Sequence, residues 1–258
     1  MNESFLFKID TGIITATLFV FMIISVRLGY WLGLKTPSVN QSISYNTLVG
    51  SLFALFGLLL AFTFNMTNEK YNKRVNFVTE ESNAIGTALL RADLYPDSIS
   101  REFKSDFKSY IQNRILYFKA HCDLQLVNVA LDSAAYYGQR IWKRTAGLAS
   151  EKDLFLANNL MVPAVNNMLD MATTRDQADN NHAPVSIIWM LLILSVTIAF
   201  AAGYAASDDK QIDLFLSITF CLLTTVVIYF ILDLDRPRRG VINLDQANEV
   251  MNQLLRML

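Results

Sequence analysis

The sequence predicts an all-α, polytopic membrane protein, with four transmembrane helices in two hairpins and a helical cytoplasmic domain between spans 2 and 3. Four apolar segments of about twenty residues stand in pairs at the two ends of the 258-residue chain. That length lets a helix cross ~30 Å of hydrocarbon. The long stretch between the pairs is charged but balanced in sign, and it contains no run of alternating hydrophobicity that would indicate a β-strand.

The apolar segments set the predicted spans and domains. The spans cover about residues 12–34, 47–66, 185–206 and 212–234. The predicted domains are therefore a transmembrane hairpin over residues 1–66, a helical cytoplasmic domain over 67–183, a second hairpin over 184–234 and a cytoplasmic tail over 235–258. A multi-pass protein of this kind has the lipid bilayer as its first partner.

The second span is predicted to continue out of the bilayer as one long helix, from about Asn46 to about Leu90. No Pro or Gly interrupts the chain between Gly57 and Gly86, so nothing in that stretch breaks a helix. Further helices are expected from Ser98 or Ser100 to about Ala120, over Leu124–Thr145, and over Glu151–Asp176. Pro163 should kink the last of these or occupy its first turn after a break.

The positive charges near the span ends predict which side faces the cytoplasm. Eight Lys or Arg residues fall on one side of the predicted topology and three on the other. The eight are Lys8, Lys70, Lys73, Arg74, Arg175, Arg236, Arg238 and Arg239; the three are Arg27, Lys35 and Lys210. Because Lys and Arg collect on the cytoplasmic side, both termini and the middle domain are predicted to be cytoplasmic.

The second span carries two distinct faces. Small residues spaced four, three and four apart form a seam that is typical of helices packing closely in membranes: Gly50, Ala54, Gly57 and Ala61. The amides Asn65, Asn68 and Asn72 continue that face, and a neighbouring face presents Phe53, Leu60 and Phe64.

Two interpretations of these faces stay open. One is an ordinary helix–helix contact with a lipid-facing side. The other is a pore helix, in which Phe53, Leu60 and Phe64 form a hydrophobic constriction. In that case the inner vestibule would be lined by Asn65, Asn68, Asn72, Lys70 and Lys73.

Charged residues lie inside the first span and at the end of the fourth. Arg27 stands well within an apolar run, where a charge must pair or extend to the interface. The closing cluster is predicted to form a membrane-proximal anchor made of Asp233, Asp235, Arg236, Arg238 and Arg239, with Pro237 ending the span. The acids expected to neutralise these arginines are Asp233, Asp235, Glu80 and Glu81. The alternatives are a stop-transfer signal with local ion pairs, contacts with anionic lipid, or contacts with the membrane-proximal base of the long second helix.

Several classes of function find no support. A net charge of −1 gives no case for nucleic acid. His121, Cys122 and Asp123 adjoin, but no second cluster completes a metal site. Neither a nucleophile elbow nor a phosphate-binding glycine loop is present. The sequence therefore predicts no enzyme, no metal and no cofactor.

Four stretches of the chain resemble a bacterial bestrophin-like family of unknown function. They are GLLLAFTFNMTNEKYNKRVNFVTEESNAIGTALLRADLYP (Gly57–Pro96), VPAVNNMLDM (Val162–Met171), HAPVSIIWMLLILSVTIAFAAGY (His182–Tyr204) and LDLDRPRRGVINLDQ (Leu232–Gln246). Asn167 stands where the family pattern has Glu. The resemblance implies a bacterial inner-membrane protein that forms a homo-oligomer, with a pentamer as the first guess. It also implies a pore lined by span 2 for a small anion.

Two functional hypotheses follow. The first is a bestrophin-like, homo-oligomeric channel, with the pore on a symmetry axis between copies because four spans enclose little space. The second is a non-conducting membrane scaffold or sensor that binds a partner through its cytoplasmic helices. Neutral middle helices without a ring of pore charges favour the second hypothesis.

Overall fold

The computed structural model describes residues 9–35, 43–120, 123–207, 213–236, 238, 240–242 and 244–258, without the side chains of 43–46, 246 and 247. Eight α-helices make up this part of the chain, and two short 3₁₀ turns, Ala92–Leu94 and Lys152–Leu154, join them. The helices are α1 Thr11–Lys35, α2 Ile43–Arg91, α3 Asp97–Lys119, α4 Leu124–Leu148, α5 Phe155–Asn180, α6 Val185–Ala205, α7 Leu214–Leu234 and α8 Asp245–Leu255.

Four of these helices are long and apolar enough to cross a membrane: α1, the first half of α2, α6 and α7. Their order along the chain gives the two predicted hairpins. The described residues contain no β-strand. The predicted fold class, an all-α multi-pass membrane protein, is thus confirmed.

Helix α2 runs for 49 residues from Ile43 to Arg91 without a break. At 1.5 Å per residue this corresponds to ~74 Å. The single long helix predicted for this segment is therefore confirmed. It ends where the 3₁₀ turn Ala92–Leu94 leads to Pro96, whose φ of −52° and ψ of 149° place it just before α3. Proline disfavours helical backbone in the residue before it, which explains the stop.

The chain divides into two compact units. The first consists of residues 1–69 and 182–235, and the second of residues 70–181 and 236–258. The four apolar helical segments belong to the first unit. The second contains the remainder of α2 together with α3, α4, α5 and α8. The boundaries predicted for the membrane and cytoplasmic domains stay a prediction, because no bilayer is present to define them.

Glycines hold α1 against α6 inside the first unit. A Cβ added at Gly29 would collide with the backbone of Phe200, and one added at Gly203 would collide with the carbonyl of Val26. Only hydrogen atoms fit between the two backbones at these points, so the helices approach as closely as helices can. This contact was not predicted, since the only small-residue seam inferred from spacing lies in span 2.

The core of the second unit is formed by apolar faces of α2, α3, α4, α5 and α8. Fully buried residues include Ile85, Phe107, Ile141, Met161 and Met251. Helix α8, which lies inside the predicted tail, was not anticipated. Its Met251 and Leu254 are buried, as is Leu244 just before it.

Pro163 lies inside α5 and not in its first turn, so that alternative for Pro163 is wrong. Proline has no N–H, and the carbonyl of Asn159, four residues earlier, therefore lacks its helical donor. Arg91 Nη1 donates to the adjacent carbonyl of Leu160. The end of α2 is thereby hydrogen-bonded to the turn of α5 in which the proline removes a helical hydrogen bond.

Candidate functional site

The small-residue seam of α2 is exposed in the single chain. Gly50, Ala54, Gly57 and Ala61 all face away from the other described helices of the first unit. A Cβ added at Gly50 or Gly57 would meet no atom within 4 Å. The predicted seam is thus not a contact between described residues of one chain, unlike the glycines of α1 and α6. Its role as a packing seam between copies stays a prediction.

The first unit covers α2 less than its other spans. Only 11% of the most apolar 18-residue window of α2 is buried, against 33% for α1 and 28% for each of the other two spans. The buried side of α2 is formed by Val49, Phe56, Thr63 and Thr67. Most of the surface of this span is therefore open to a partner or to lipid.

The three residues of the predicted constriction lie in different surroundings. Phe53 is half-buried and meets Phe220 of α7 edge-to-face, with the ring centroids 5.0 Å apart. Leu60 is half-buried against the cluster that contains Phe56, whereas 41% of Phe64 is exposed. Phe64 is thus the most accessible of the three, and the pore role of all three stays a prediction.

The amides of the predicted vestibule continue the exposed face. Asn65 and Asn72 are exposed and Asn68 is half-buried. Asn65 Nδ2 donates to Glu69 Oε1 at 3.2 Å. A carboxylate that was not among the predicted vestibule residues thus lies beside the first amide. The Glu69–Asn65 spacing of four residues could have revealed it.

The basic residues that follow do not share one direction. Lys70 Nζ donates to the carbonyl and to Oδ1 of Asn181, at 3.3 and 3.1 Å. Buried Arg74 donates to the carbonyls of Ala178 and Asn181. These carbonyls lie at the C-terminal end of α5, where cations are stabilised by the helix dipole. Lys73 is exposed. Lys70 therefore hydrogen-bonds to the residue that follows the C-terminal end of α5. Its role in a vestibule stays a prediction.

A buried ion network lies at the centre of the second unit. Glu81 is fully buried between two arginines, with Arg175 Nη1 at 2.7 Å from Oε2 and Arg114 Nε at 2.5 Å from Oε1. Arg114 also meets Asp176 at 3.0 Å. Arg175 donates to Asn248 Oδ1 at 2.7 Å. Four helices, α2, α3, α5 and α8, are thereby tied to one another.

The network identifies the partners of Glu81. Glu81 was expected to neutralise the arginines near residue 238, but it pairs with Arg114 and Arg175 instead. Burial acts to raise the pKa of Glu81, yet the two guanidiniums outweigh burial and hold that pKa below its ordinary value. Glu81 is therefore charged. Both partners are distant along the chain, so no local spacing could have revealed them.

A second buried acid joins α3 to α4. Asp106 accepts from Arg140 Nε and Arg144 Nη2, each at 3.0 Å, and Arg144 also pairs with exposed Glu102. Burial raises the pKa of Asp106, and Arg140 offsets only part of that rise. These contacts are structural, because both arginines are held by acids of their own chain.

The acids of the predicted anchor are buried. Asp233 and Asp235 end α7, where a negative charge opposes the helix dipole. The carboxylate of Asp235 is stabilised by contacts with the residues just before α6. The N–H of Ala183 donates to both of its carboxylate oxygens, at 2.9 and 3.0 Å, and His182 Nδ1 lies 3.5 Å from Oδ2. Asp235 thus fastens the two ends of the second hairpin.

The arginines of the predicted anchor belong to the second unit. Arg236 is buried, and Arg238 lies over the ring of Tyr117, with Cζ 5.1 Å from the centroid. Gly240 has φ of 102°, which favours glycine, and so turns the chain after the arginines. Pro237 and Arg239 lie outside the described residues. The anchor role of the cluster stays a prediction.

No group of three or more His, Cys, Asp or Glu side chains that could hold a metal occurs within the part of the chain that the structure describes. His121 and Cys122, the pair that invites comparison with a metal site, lie outside it. Cys221 is buried as a free thiol in α7.

A family pattern and several solved structures are similar to this chain. The sequence pattern of the Bestrophin-like domain matches residues 19–248, which is most of the chain. The crystal structure of a bacterial bestrophin homolog from Klebsiella pneumoniae is similar, with a TM-score of 0.68 and 12% identity over 92% of this chain and 95% of that one. A single-substitution variant of that homolog gives a TM-score of 0.70 and 12% identity over 94% and 95%.

A further crystal structure, of a membrane protein variant, matches with a TM-score of 0.71 and 11% identity over 93% of this chain and 96% of that one. No curated protein matches. At such identities the structures establish the fold alone. The family rests on the domain match, which agrees with the resemblance of the four sequence stretches. The chain belongs to the bestrophin-like family of membrane proteins.

Proposed function

We propose that the chain is the subunit of a homo-oligomeric ion channel, in which the exposed face of α2 from each copy lines a shared path. One observation carries the proposal. The face of Gly50, Ala54, Gly57 and Ala61 is left uncovered by the described residues of its own chain, and it continues into exposed amides. A face of glycine and alanine is typical of close helix contact and offers lipid little to pack on.

The path would lie on a symmetry axis. Four spans in one chain enclose little space, so copies must combine to surround a pore. Gly50 and Gly57 leave room for a neighbouring helix to approach. A pentamer is the stoichiometry to test first, by the native mass of the purified protein. The termini would be cytoplasmic in a bacterial inner membrane, as the distribution of Lys and Arg favours.

Phe64 is the residue best placed to narrow the path. It is exposed and lies only about 20° from Gly57 on a wheel of 100° per residue. Phe53 and Leu60 would support it from behind, since both are half-buried against their own chain. A ring of Phe64 side chains would be a hydrophobic barrier that loses water when narrow.

Small anions are the proposed substrate. From Ile43 to Asn68 helix α2 carries no charged residue, so no acid repels an anion along the span. The exposed amides Asn65 and Asn72 offer N–H donors. Nothing in this mechanism requires covalent chemistry, and the proposed protein is therefore a channel and not an enzyme.

Glu69 favours a second candidate, a path for cations. It is exposed beside Asn65, and its carboxylate occupies the amide's donor. A ring of such carboxylates is a usual device of cation channels. The charge of the conducted ion thus depends on which side chain faces the path: the amide of Asn65 would favour an anion, and the carboxylate of Glu69 would favour a cation.

Ion flux through the purified full-length chain in proteoliposomes tests the proposal. Phe64→Ala should raise basal flux several-fold, because it removes the barrier. Phe62→Ala is the matched control: Phe62 is 64% exposed but lies on another side of α2, so its loss should leave flux unchanged. Equal flux in both variants and the wild type would remove Phe64 from the path.

The reversal potential in a KCl gradient decides the sign. An anion path gives a potential near that of chloride, and Glu69→Gln should move it further in that direction. A potential near that of potassium, lost in Glu69→Gln, would establish the cation candidate. If oligomeric protein passes no ion in any variant, the scaffold hypothesis replaces the channel.

A further inference from the structure

One face of α1 combines two cations with an indole. Arg27, Trp31 and Lys35 are spaced four residues apart, so they lie above one another on the helix surface, and all three are exposed. Lys35 Nζ lies 3.4 Å from the centroid of the Trp31 ring. This cation–π contact turns the lysine back along the helix towards Arg27. The two positive groups therefore belong to one patch.

Arg27 has no counter-charge among the described residues of its own chain. Helix α1 contains no Asp or Glu between Thr11 and Lys35, and no described acid of another helix forms an ion pair with Arg27. A cation in an apolar span is costly unless it is paired or reaches the interface. The patch is therefore suited to an anion from outside the chain.

An apolar groove lies further along the same helix. It has a volume of about 490 Å³ and is bordered by Ile13, Thr17 and Phe21 of α1 and by Ile193, Val196 and Thr197 of α6. This volume is in the usual range of ligand sites. The groove opens because the glycine contacts draw α1 and α6 together only nearer their C-terminal ends, at Gly29 and Gly203.

The distance between patch and groove fits one lipid molecule. Ten residues separate Thr17 from Arg27, or ~15 Å along the helix, which is about half the ~30 Å thickness of the hydrocarbon. Exposed Val20 and Ile24 form an apolar track between them on the same side of α1. An acyl chain beginning at the patch would therefore end in the groove.

We propose that this surface is a binding site for an anionic phospholipid. Its phosphate is held by Arg27 and Lys35, its glycerol region contacts Trp31, and one acyl chain follows Ile24 and Val20 into the groove between α1 and α6. Two cations that pair with no acid among the described residues select a net negative headgroup over a zwitterionic one. The site is separate from α2 and goes beyond the proposed channel function.

Native mass spectrometry of the full chain in detergent tests the site, with dioleoyl phosphatidylglycerol and dioleoyl phosphatidylcholine as probes. The wild type should retain the anionic lipid preferentially. Arg27→Gln should lower that preference about fivefold, the equivalent of ~1 kcal/mol for one cation at a lipid surface. Lys143→Gln removes a cation that is also exposed, on α4, and should change nothing.

Two further measurements test separately whether the acyl chain and the headgroup of the lipid contribute to binding. Thr197→Phe fills the groove, so it should weaken binding of the long-chain phosphatidylglycerol but leave binding of a short-chain phosphatidylglycerol unchanged. Leu223→Phe, on the exposed surface of α7, is its control. Soluble glycerol 3-phosphate should not compete. Effective competition by that anion would show a free phosphate site and overturn the proposal.

Equal retention of both lipids by the wild type would also overturn it, as would an unchanged preference in Arg27→Gln. If Arg27→Gln does not fold, Lys35→Gln serves instead. Lys35 is at the end of α1 and exposed, so its loss does not disturb packing. An unchanged preference in Lys35→Gln then decides against the site.

Discussion

The second unit closes its core around charged side chains, whereas the first joins α1 to α6 through glycines and leaves α2 largely uncovered. Glu81, Arg114 and Arg175 are buried together, and the glutamate forms an ion pair with each of the two arginines. In the first unit, only 11% of the apolar window of α2 is buried. The second unit therefore completes its own core within one chain, while the first leaves one face of α2 uncovered by its described residues.

The largest expected effect comes from breaking the buried ion network. Glu81→Leu leaves Arg114 and Arg175 without their shared acid, and removing one partner of a buried pair costs about 3–5 kcal/mol. Glu80→Leu is the matched control, because Glu80 is the adjacent residue and is exposed. The free energy of unfolding in detergent measures both. Equal losses in the two variants would show that the network does not hold the second unit together.

Low pH should weaken the same buried ion network. An unfolded Glu81 binds a proton near pH 4.5, whereas the folded one does so only at lower pH. Its stabilising contribution is therefore present above about pH 4.5 and is lost as the pH falls through the folded pKa. Asp106 and Asp176 have raised pKa values and act in the opposite sense.

A comparison with Glu81→Gln isolates the glutamate, because the two aspartates are common to both proteins. The wild type should be the more stable near neutral pH, and its advantage should shrink below about pH 4.5. The unfolding midpoint against pH is the measurement. Parallel curves for the two proteins would contradict the assignment.

Alanine substitution of two glycines in the spans should affect two different properties, subunit stability at Gly203 and assembly at Gly57. Gly203→Ala places a Cβ against the backbone of Val26 and should cost about 1–3 kcal/mol, as overpacking does. Gly57→Ala meets open space within the chain and should leave subunit folding intact while weakening assembly. Unfolding of the subunit and native mass of the oligomer are the two readouts. Loss of folding in Gly57→Ala would mean that this face does not serve contact with another copy.

The smallest expected effect concerns a single buried hydrogen bond. Tyr95 donates to Asn158 Oδ1 at 2.8 Å, and burial raises the pKa of Tyr95 to about 12. Tyr95→Phe leaves that oxygen unsatisfied and should cost about 1 kcal/mol, whereas Tyr136→Phe on the exposed face of α4 should cost nothing measurable. Tyr95→Phe with wild-type stability would show that Asn158 finds another donor.

Much of the fold could be predicted because its signals are local. Span length follows from apolar runs, and the continuity of α2 follows from the absence of Pro and Gly between Gly57 and Gly86. Helix α8 was missed although Leu244, Asn248 and Met251 recur at helical spacing. Its signal is short, at three turns, and it follows a proline and a glycine that favour a loop.

The candidate site was less predictable, because it depends on which faces meet. Helical spacing placed Phe53 and Phe64 on one face of α2, but it could not show that Phe53 contacts Phe220 while Phe64 stays exposed. Glu81 was expected to neutralise the closing arginines. Its true partners lie on helices whose register against α2 is set by tertiary packing, which periodicity does not specify.

The bond between Asp235 and the N–H of Ala183 bears on the order in which the protein is made. The two residues are 52 positions apart, so the segment that opens α6 leaves the ribosome without this acceptor. The bond becomes possible only when α7 has crossed back and its final acid has emerged. Insertion of the second hairpin is therefore completed by its last residue. A nascent chain released at Leu234 would contain both apolar spans but lack the carboxylate that joins their ends.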